Sequence, residues 1–437
     1  MFIPSKYNFE FAFDGRCFIY NILTTALVEL TDDVIGKAMT DQCSDTCRSL
    51  VDSGFLVAEG TDERKQFEYY FDTMRFGVAS RTLKVFLLPT YGCNLGCPYC
   101  YQGQGKTMEK MGVIGAQRAL RFLGRTVTAG KNTDTISKIA ISLYGGEPMM
   151  DKPALKTFCA GASSTAQKYE LPIAFNMTTN LTLLDSDTIA LINNYNIELQ
   201  VTIDGIKPIH DKRRIFKNGS GTYDIIIKHL KELAQKGLSR LITLRINVDN
   251  ESIVNAEETF QEVRQYANNI YFSVIVPYNG MNDCHKSLCV PEKKHTSFIL
   301  KTNDILARNG GHVYRQFGKR MPCSLVTPNR FFIDSRFDVY GCDSLVNHPE
   351  CRIGTIDEEG NLLLSSQYYD QITLSATRTE KCMNCKLLPA CGGGCPATSY
   401  INSGKKNARL ECQCILDDHS LKEYLIDYIK RLSTVES

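Results

Sequence analysis

From Leu83 to Pro277 two kinds of pattern alternate, and this alternation restricts the possible folds more than any other feature of the chain. Apolar, β-branched runs fall at Leu83–Leu88, Lys138–Tyr144, Ile173–Thr179, Ile197–Asp204, Leu241–Val248 and Asn269–Pro277. Between them, apolar residues three or four apart predict helices over Met111–Arg125, Lys152–Lys168, Ser186–Tyr195, Tyr223–Lys236 and Ser252–Ala267. Repeated strand–helix units pack as a parallel sheet with helices outside it. The expected class is therefore α/β, and in parallel barrels the chemistry sits at the C-terminal strand ends.

Two motifs occupy those ends. After the first strand comes Tyr91-Gly92-Cys93-Asn94-Leu95-Gly96-Cys97-Pro98-Tyr99-Cys100-Tyr101, with the spacing Cys-x-x-x-Cys-x-x-Cys. Three thiolates in such a loop can hold three irons of a [4Fe–4S] cluster, which four cysteines normally ligate. The missing ligand leaves one iron open, and an open metal position signals chemistry more than structure. A zinc knuckle is the alternative. After the second strand comes Tyr144-Gly145-Gly146-Glu147-Pro148. Together the two motifs resemble the radical S-adenosylmethionine (SAM) enzymes, in which the open iron binds the amino and carboxylate groups of SAM.

The resemblance implies a partial (β/α)6 TIM-like barrel over 83–277. It implies cofactor contacts from Tyr99, Gly145, Gly146 and Glu147, and, from the next two strand ends, Thr179, Asn180, Thr202 and Asp204. Each of these four reads equally well as a strand-end group satisfying local backbone. Arg245 and Asn247, if they point inward, require partners. His210 reads as structural.

A chain of 437 residues is expected to form two or three domains. A net charge of +2 suggests neither nucleic acid nor a membrane surface as partner. Met1–Lys6 shows no signal-peptide core and no apolar run is long enough to span a bilayer, so a cytoplasmic protein is expected. The 18 cysteines then read as reduced metal ligands rather than a disulfide framework.

Residues 1–80 read as a separate winged-helix-like domain. Phe9, Phe11 and Phe13 alternate ahead of an Asp14-Gly15 turn, Thr31 or Asp32 caps one helix, Ser44 opens another, and Phe55–Val57 returns as a strand. Asp62–Thr82 reads as a polar helical linker. In peptide-modifying radical SAM enzymes such a front domain takes the precursor's leader as an added strand; the alternative is mere packing on the barrel. Residues 278–322 read as a bridge to a C-terminal domain.

Over 323–437 cysteine density rises again, with Gly392-Gly393-Gly394 able to bend the chain and expose N–H groups to an anionic cluster. A zinc ribbon is the alternative. The region resembles the SPASM extension, which carries two auxiliary [4Fe–4S] clusters. The resemblance gives one to Cys382, Cys385 and Cys391 with Cys414 or Cys412. It gives the other to Cys323, Cys342 and Cys395, with Cys351 as fourth ligand or an open site. The family usually has Gly where this chain has Phe337, so a differently built turn is expected there. Ser420–Leu432 predicts an amphipathic helix burying Leu421, Tyr424, Leu425, Tyr428, Ile429 and Leu432.

By resemblance the chain uses three [4Fe–4S] clusters and SAM, draws electrons from a flavodoxin- or ferredoxin-type donor, and oxidatively modifies a precursor peptide by crosslink or thioether formation. The alternative is an anaerobic sulfatase maturase, which oxidises Cys or Ser to formylglycine. Asp343, directly after Cys342, would then be the base.

Overall fold

A computed structural model describes residues 1–30, 34–41, 44–100, 102, 107–275, 288–315, 317–346, 348–403 and 416–435. The chain divides into two compact units, one drawn from 1–77, 314–326 and 374–437, the other from 78–313 and 327–373. No helix among the described residues is long and apolar enough to cross a membrane.

In the first unit, β1 (Phe2–Pro4) pairs antiparallel with β5 (Leu56–Ala58), while β2 (Asn8–Phe13), β3 (Arg16–Asn21) and β4 (Leu27–Leu30) form an antiparallel sheet. Asp14 and Gly15 turn the first hairpin with φ of 53° and 71°, the left-handed pair that a two-residue connection needs. Helices α1 (Val34–Thr40) and α2 (Asp45–Asp52) precede β5. Ser44 caps α2, accepting from the Cys47 N–H; the expected caps of α1, Thr31 and Asp32, lie outside the described residues. The segment expected to be a polar helical linker contains α3 (Glu63–Asp72), which, beyond that expectation, buries Glu63, Phe67 and Phe71 along one stripe. The Glu63 carboxylate accepts from the Ser5 hydroxyl and, at 2.8 Å, from the Lys6 N–H. The stripe spacing of four made this face readable, but the surrounding charges hid it.

The helix Asp418–Val435 closes the described chain and buries Leu421, Tyr424, Leu425 and Ile429. Leu432 departs from expectation, being 46% exposed. Early and late segments pack together within this unit. The Tyr20 ring stands edge-on to Phe317 at 5.6 Å, and Lys430 lies over the Phe13 ring.

The second unit carries the parallel sheet. Strands β6 (Thr82–Leu87), β7 (Lys138–Leu143), β8 (Ile173–Thr179), β9 (Glu198–Ile203), β10 (Ile242–Val248) and β11 (Asn269–Val274) pair in order, all parallel. Their outer side chains, such as Val85, Ile141, Met177, Val201 and Leu244, are fully buried in one core with the helices. The helices are α4 (Gly112–Asn132), α5 (Lys152–Lys168), α6 (Ser186–Tyr195), α7 (Lys207–Arg213), α8 (Tyr223–Gln235) and α9 (Ala256–Val263). α4 runs beyond Arg125 because Val127 and Gly130 continue its buried face. A Cβ at Gly130 would stand 2.3 Å from Ile136, so glycine is what lets that side chain pack. α7 was not anticipated, and the end of the sixth predicted strand at Pro277 lies outside the described residues.

The sheet does not stop at β6. β12 (Arg330–Ile333) pairs parallel to it, and β13 (Asp338–Tyr340), β14 (Gly354–Ile356) and β15 (Leu362–Leu364) continue antiparallel. Phe86 and Phe332 stack at 4.0 Å across the junction. The turn between β12 and β13 corrects an expectation. Phe337 adopts φ of 67°, the left-handed backbone a glycine would supply, so the turn is built with that same bend. Its ring is buried and packs 4.0 Å beneath the Arg118 guanidinium, contacts that offset a strain of about 1–3 kcal/mol.

Candidate active site

The loop after β6 carries the first three cysteines, and its neighbours hold it from two sides. On one side the Gly146 N–H donates to the Thr90 carbonyl at 3.0 Å, and the Glu147 N–H to the Gly92 carbonyl at 2.9 Å. A Cβ on Gly146 would stand 2.1 Å from the Gly92 oxygen, and one on Gly145, whose φ is 121°, 2.4 Å from the Thr90 oxygen. The glycine pair is thus required by close approach to the cysteine loop itself. On the other side the Gly96 N–H donates to the Ile215 carbonyl, and Leu95 bridges Phe216.

Cys93, Cys97 and Cys100 line one cavity of about 880 Å³, together with Tyr99, Gly145, Gly146, Thr179, Asn180, Thr202 and Asp343. The sulfur of Cys93 receives the Leu95 N–H at 3.4 Å and the Asn180 side-chain amide at 3.7 Å. Such donors suit a thiolate ligand, and hydrogen bonds to sulfur tune a cluster's potential. The described cysteines are thiols. Among the described residues no three His, Cys, Asp or Glu side chains converge as on a single metal ion. The three thiols share a cavity wall instead, a donor set that fits a polynuclear iron–sulfur cluster.

Two expected cavity residues lie behind the wall. Glu147 is fully buried; it accepts from the Thr179 hydroxyl at 2.8 Å and from the N–H groups of Met149 and Asn180 at 3.0 and 2.7 Å. Burial pushes its carboxyl upward in spite of those donors. It ties the glycine turn to the end of β8. Asp204, also fully buried, accepts from the Tyr99 hydroxyl and, at 3.0 Å, from the Asn247 amide. Burial, then the Asp204 charge, push the Tyr99 phenol well above its usual range, so it stays a donor. Arg214 in turn donates to the Tyr99 hydroxyl at 3.0 Å.

The inward polar residues of β10 have the partners they require. Arg245 donates to the Asn247 side-chain oxygen Oδ1 at 2.9 Å and to the Ser273 hydroxyl at 2.8 Å. His210 is fully buried between the Asp204 N–H and the Thr222 hydroxyl, and burial holds its pKa well below the usual value. It is neutral and structural. Sequence reasoning missed Gln102, Gln200, Lys217 and Ser344 as cavity residues. Of these only Gln200 carried a signal, sharing the inward face of β9 with Thr202 two residues on.

The later cysteines divide between the units. Cys342 and Cys351 belong to the barrel-bearing unit and are buried, and the Cys342 thiol donates to Asp343 at 3.4 Å. Cys323, Cys382, Cys385, Cys391 and Cys395 belong to the other. There Gly392, Gly393 and Gly394 take φ of 66°, 85° and 77° in succession, a path that side-chain-bearing residues resist. Cys412 and Cys414 lie outside the described residues.

Comparison with known proteins agrees with this geometry. Residues 87–263 match the Radical SAM superfamily. A cysteine-type anaerobic sulfatase-maturating enzyme of Clostridium novyi is 23% identical over 336 residues, covering 72% of this chain and 88% of that protein. Among solved structures, anSMEcpe with bound AdoMet superposes with a TM-score of 0.61 at 18% identity, covering 81% of this chain and 98% of that one. SuiB of Streptococcus suis, bound to precursor peptide SuiA, gives 0.53 at 12% identity, covering 93% and 98%. At these identities the two structures speak for the fold.

Proposed function

On the premise that this chain is an enzyme of the radical SAM superfamily, carrying that domain over residues 87–263, we propose that it is a peptide maturase that oxidatively modifies a ribosomally made precursor by forming a crosslink or a thioether. The observation that carries the reading is the gathering of the three thiols and the glycine turn around one cavity at the strand ends. Cys93, Cys97 and Cys100 would hold the iron–sulfur cluster, which together with SAM would supply the radical chemistry that removes hydrogen from an unactivated carbon.

The chain's own residues prepare that site. Gly145 and Gly146 hold the cysteine loop; Thr179, Asn180 and Thr202 present polar atoms to the SAM side of the cavity. Glu147 and Asp204 act from behind, the one bracing β8 and the other orienting Tyr99. Leu95, Ile215, Phe216, Val274 and Ile275 add apolar lining that sheds water from the reacting groups.

In this reading Cys382, Cys385 and Cys391 hold one auxiliary cluster with Cys414 or Cys412. Cys323, Cys342 and Cys395 hold another, with Cys351 available as its fourth ligand. Clusters held by these residues would supply an acceptor for the electron left when the new bond forms. Residues 1–80 act as a winged-helix-like recognition domain for the precursor's leader, for which β2 and β4 offer sheet edges. The electron donor is of flavodoxin or ferredoxin type, and the setting is cytoplasmic. A relative named for sulfatase maturation and a fold neighbour solved with a precursor peptide make a polypeptide the substrate class to test.

One observation favours the second reading, formylglycine formation: Asp343 reaches the cavity, where a base for substrate oxidation would stand. Asp343→Asn separates the two. A sulfatase-type maturase nearly loses substrate oxidation, whereas a crosslinking enzyme retains most of its turnover, measured by mass spectrometry of the product. The reading as a whole is tested on anaerobically reconstituted protein given dithionite and SAM. Deoxyadenosine is the expected product, and its absence refutes the proposal.

A further inference from the structure

Along β10 the side chains alternate. Leu244, Ile246 and Val248 are fully buried toward the helices, which turns Arg245 and Asn247 to the barrel interior. Arg245 stands beside Thr202 of β9 and Tyr271 of β11, two residues before Asn247. It is therefore about 6–7 Å deeper in the barrel, on the cavity floor. Its Nε and one terminal nitrogen donate to Asn247 and Ser273, both neutral acceptors, so two bonds fix the guanidinium plane and neither offsets its charge.

Among the described residues, the rest of the cavity does not supply the missing anion: apart from the three cysteines, its lining carries three cations, Arg214, Lys217 and Arg245, against one carboxylate, Asp343. Asp204 lies behind the wall and is already engaged by Tyr99 and Asn247. The cations also differ in place. Arg214 bonds the Tyr99 hydroxyl within the cysteine loop, whereas Arg245 connects to that loop through Asn247, Asp204 and Tyr99 in turn. A guanidinium held flat, half out of water and uncompensated is a site for a carboxylate, which it can grip with two parallel hydrogen bonds.

The geometry points to Arg245 as the residue that reads a carboxylate on the substrate: the peptide segment entering the cavity presents an acidic side chain, or its own C-terminus, to the floor. The inference rests on the peptide-maturase reading and narrows its substrate class.

The probes are small. N-acetylglutamate N-methylamide carries a side-chain carboxylate, N-acetylglutamine N-methylamide is its neutral twin, and N-acetylalanine carries a terminal carboxylate. Each is titrated calorimetrically, with SAM present, into the anaerobically reconstituted full chain. At least one carboxylate probe should bind tenfold or more tighter than the neutral twin, and which one does so identifies the source. Arg245→Gln should erase that preference and Arg245→Lys should keep part of it, while both bind SAM as the unmodified protein does. Equal binding of charged and neutral probes overturns the inference. So does a tenfold loss of SAM affinity in Arg245→Gln, since the guanidinium then serves SAM. Deoxyadenosine formation by the unmodified protein is measured alongside. Its failure counts against the proposed function, while failed carboxylate discrimination counts against Arg245 alone.

Discussion

Single side chains decide whether the cysteine loop can be held in place. Gly146 has no tolerance: a methyl group there would meet the Gly92 and Tyr91 carbonyl oxygens at 2.1 and 2.3 Å, and backbone cannot swing aside as a long side chain can. Gly146→Ala should cost about 1–3 kcal/mol by overpacking. It should also lower the iron retained by a variant in which the later cysteines are replaced by alanine, read by iron analysis beside a melting curve. Asp334 makes a pH-dependent prediction. Burial pushes its carboxyl up to about 6, against the Tyr91 hydroxyl at 2.9 Å and the N–H groups of Arg336 and Asp338 that hold it down. A raised folded-state value means that its contribution is full below about pH 4 and is lost as pH climbs through about 6. The stability difference between the unmodified protein and Asp334→Asn should therefore shift against the unmodified protein by roughly 2–3 kcal/mol over that window. Parallel denaturant titrations at pH 4 and pH 7 check this, and a constant difference would contradict it.

At the level of elements, the sheet shows where sequence patterns succeed and where they stop. The six parallel strands were legible because each alternates or runs apolar over enough residues to bury a face, and because helices of readable period separate them. α5 and α6 also begin and end where predicted, since capping groups mark them: Asp151 accepts from the Ala154 N–H and Asp185 from that of Thr188. β12 to β15 were not legible. They are three or four residues long; β12 is a strand because it pairs onto β6 from far along the chain, and β13 to β15 follow by pairing outward from it. The β12–β13 turn illustrates the balance. Phe337→Gly would relieve a backbone strain of about 1–3 kcal/mol but remove a buried ring worth about 3–5 kcal/mol with its Arg118 contact. The variant should be less stable by about 2 kcal/mol, seen as a lower melting temperature; a more stable variant would show that strain outweighs packing here.

For the molecule as a whole, the first 77 residues belong with segments from late in the chain. They share a compact unit with 314–326 and 374–437. Lys6 donates to the Met383 carbonyl, Arg64 to the Asn384 side chain, and Lys386 lies over the Phe9 ring, so the segment bearing Cys382 and Cys385 rests on the N-terminal strands and α3. Removing residues 1–77 should therefore lower the iron bound per chain as well as peptide affinity. Iron analysis of the truncated protein, prepared anaerobically, checks this; full iron content would show that the late cysteines fold unaided. What the sequence determined alone was local: strand and helix periods, the cysteine spacing, the glycine pair, the residue types at strand ends. Those follow from short-range geometry, in which each residue's role depends on neighbours a few positions away. Tertiary structure alone decided which strand-end side chains face the cavity and which brace it from behind, that Asp343 joins the thiols at one cavity, and that the chain's two ends share one compact unit. Each of those depends on contacts between residues tens to hundreds of positions apart, which no local pattern encodes.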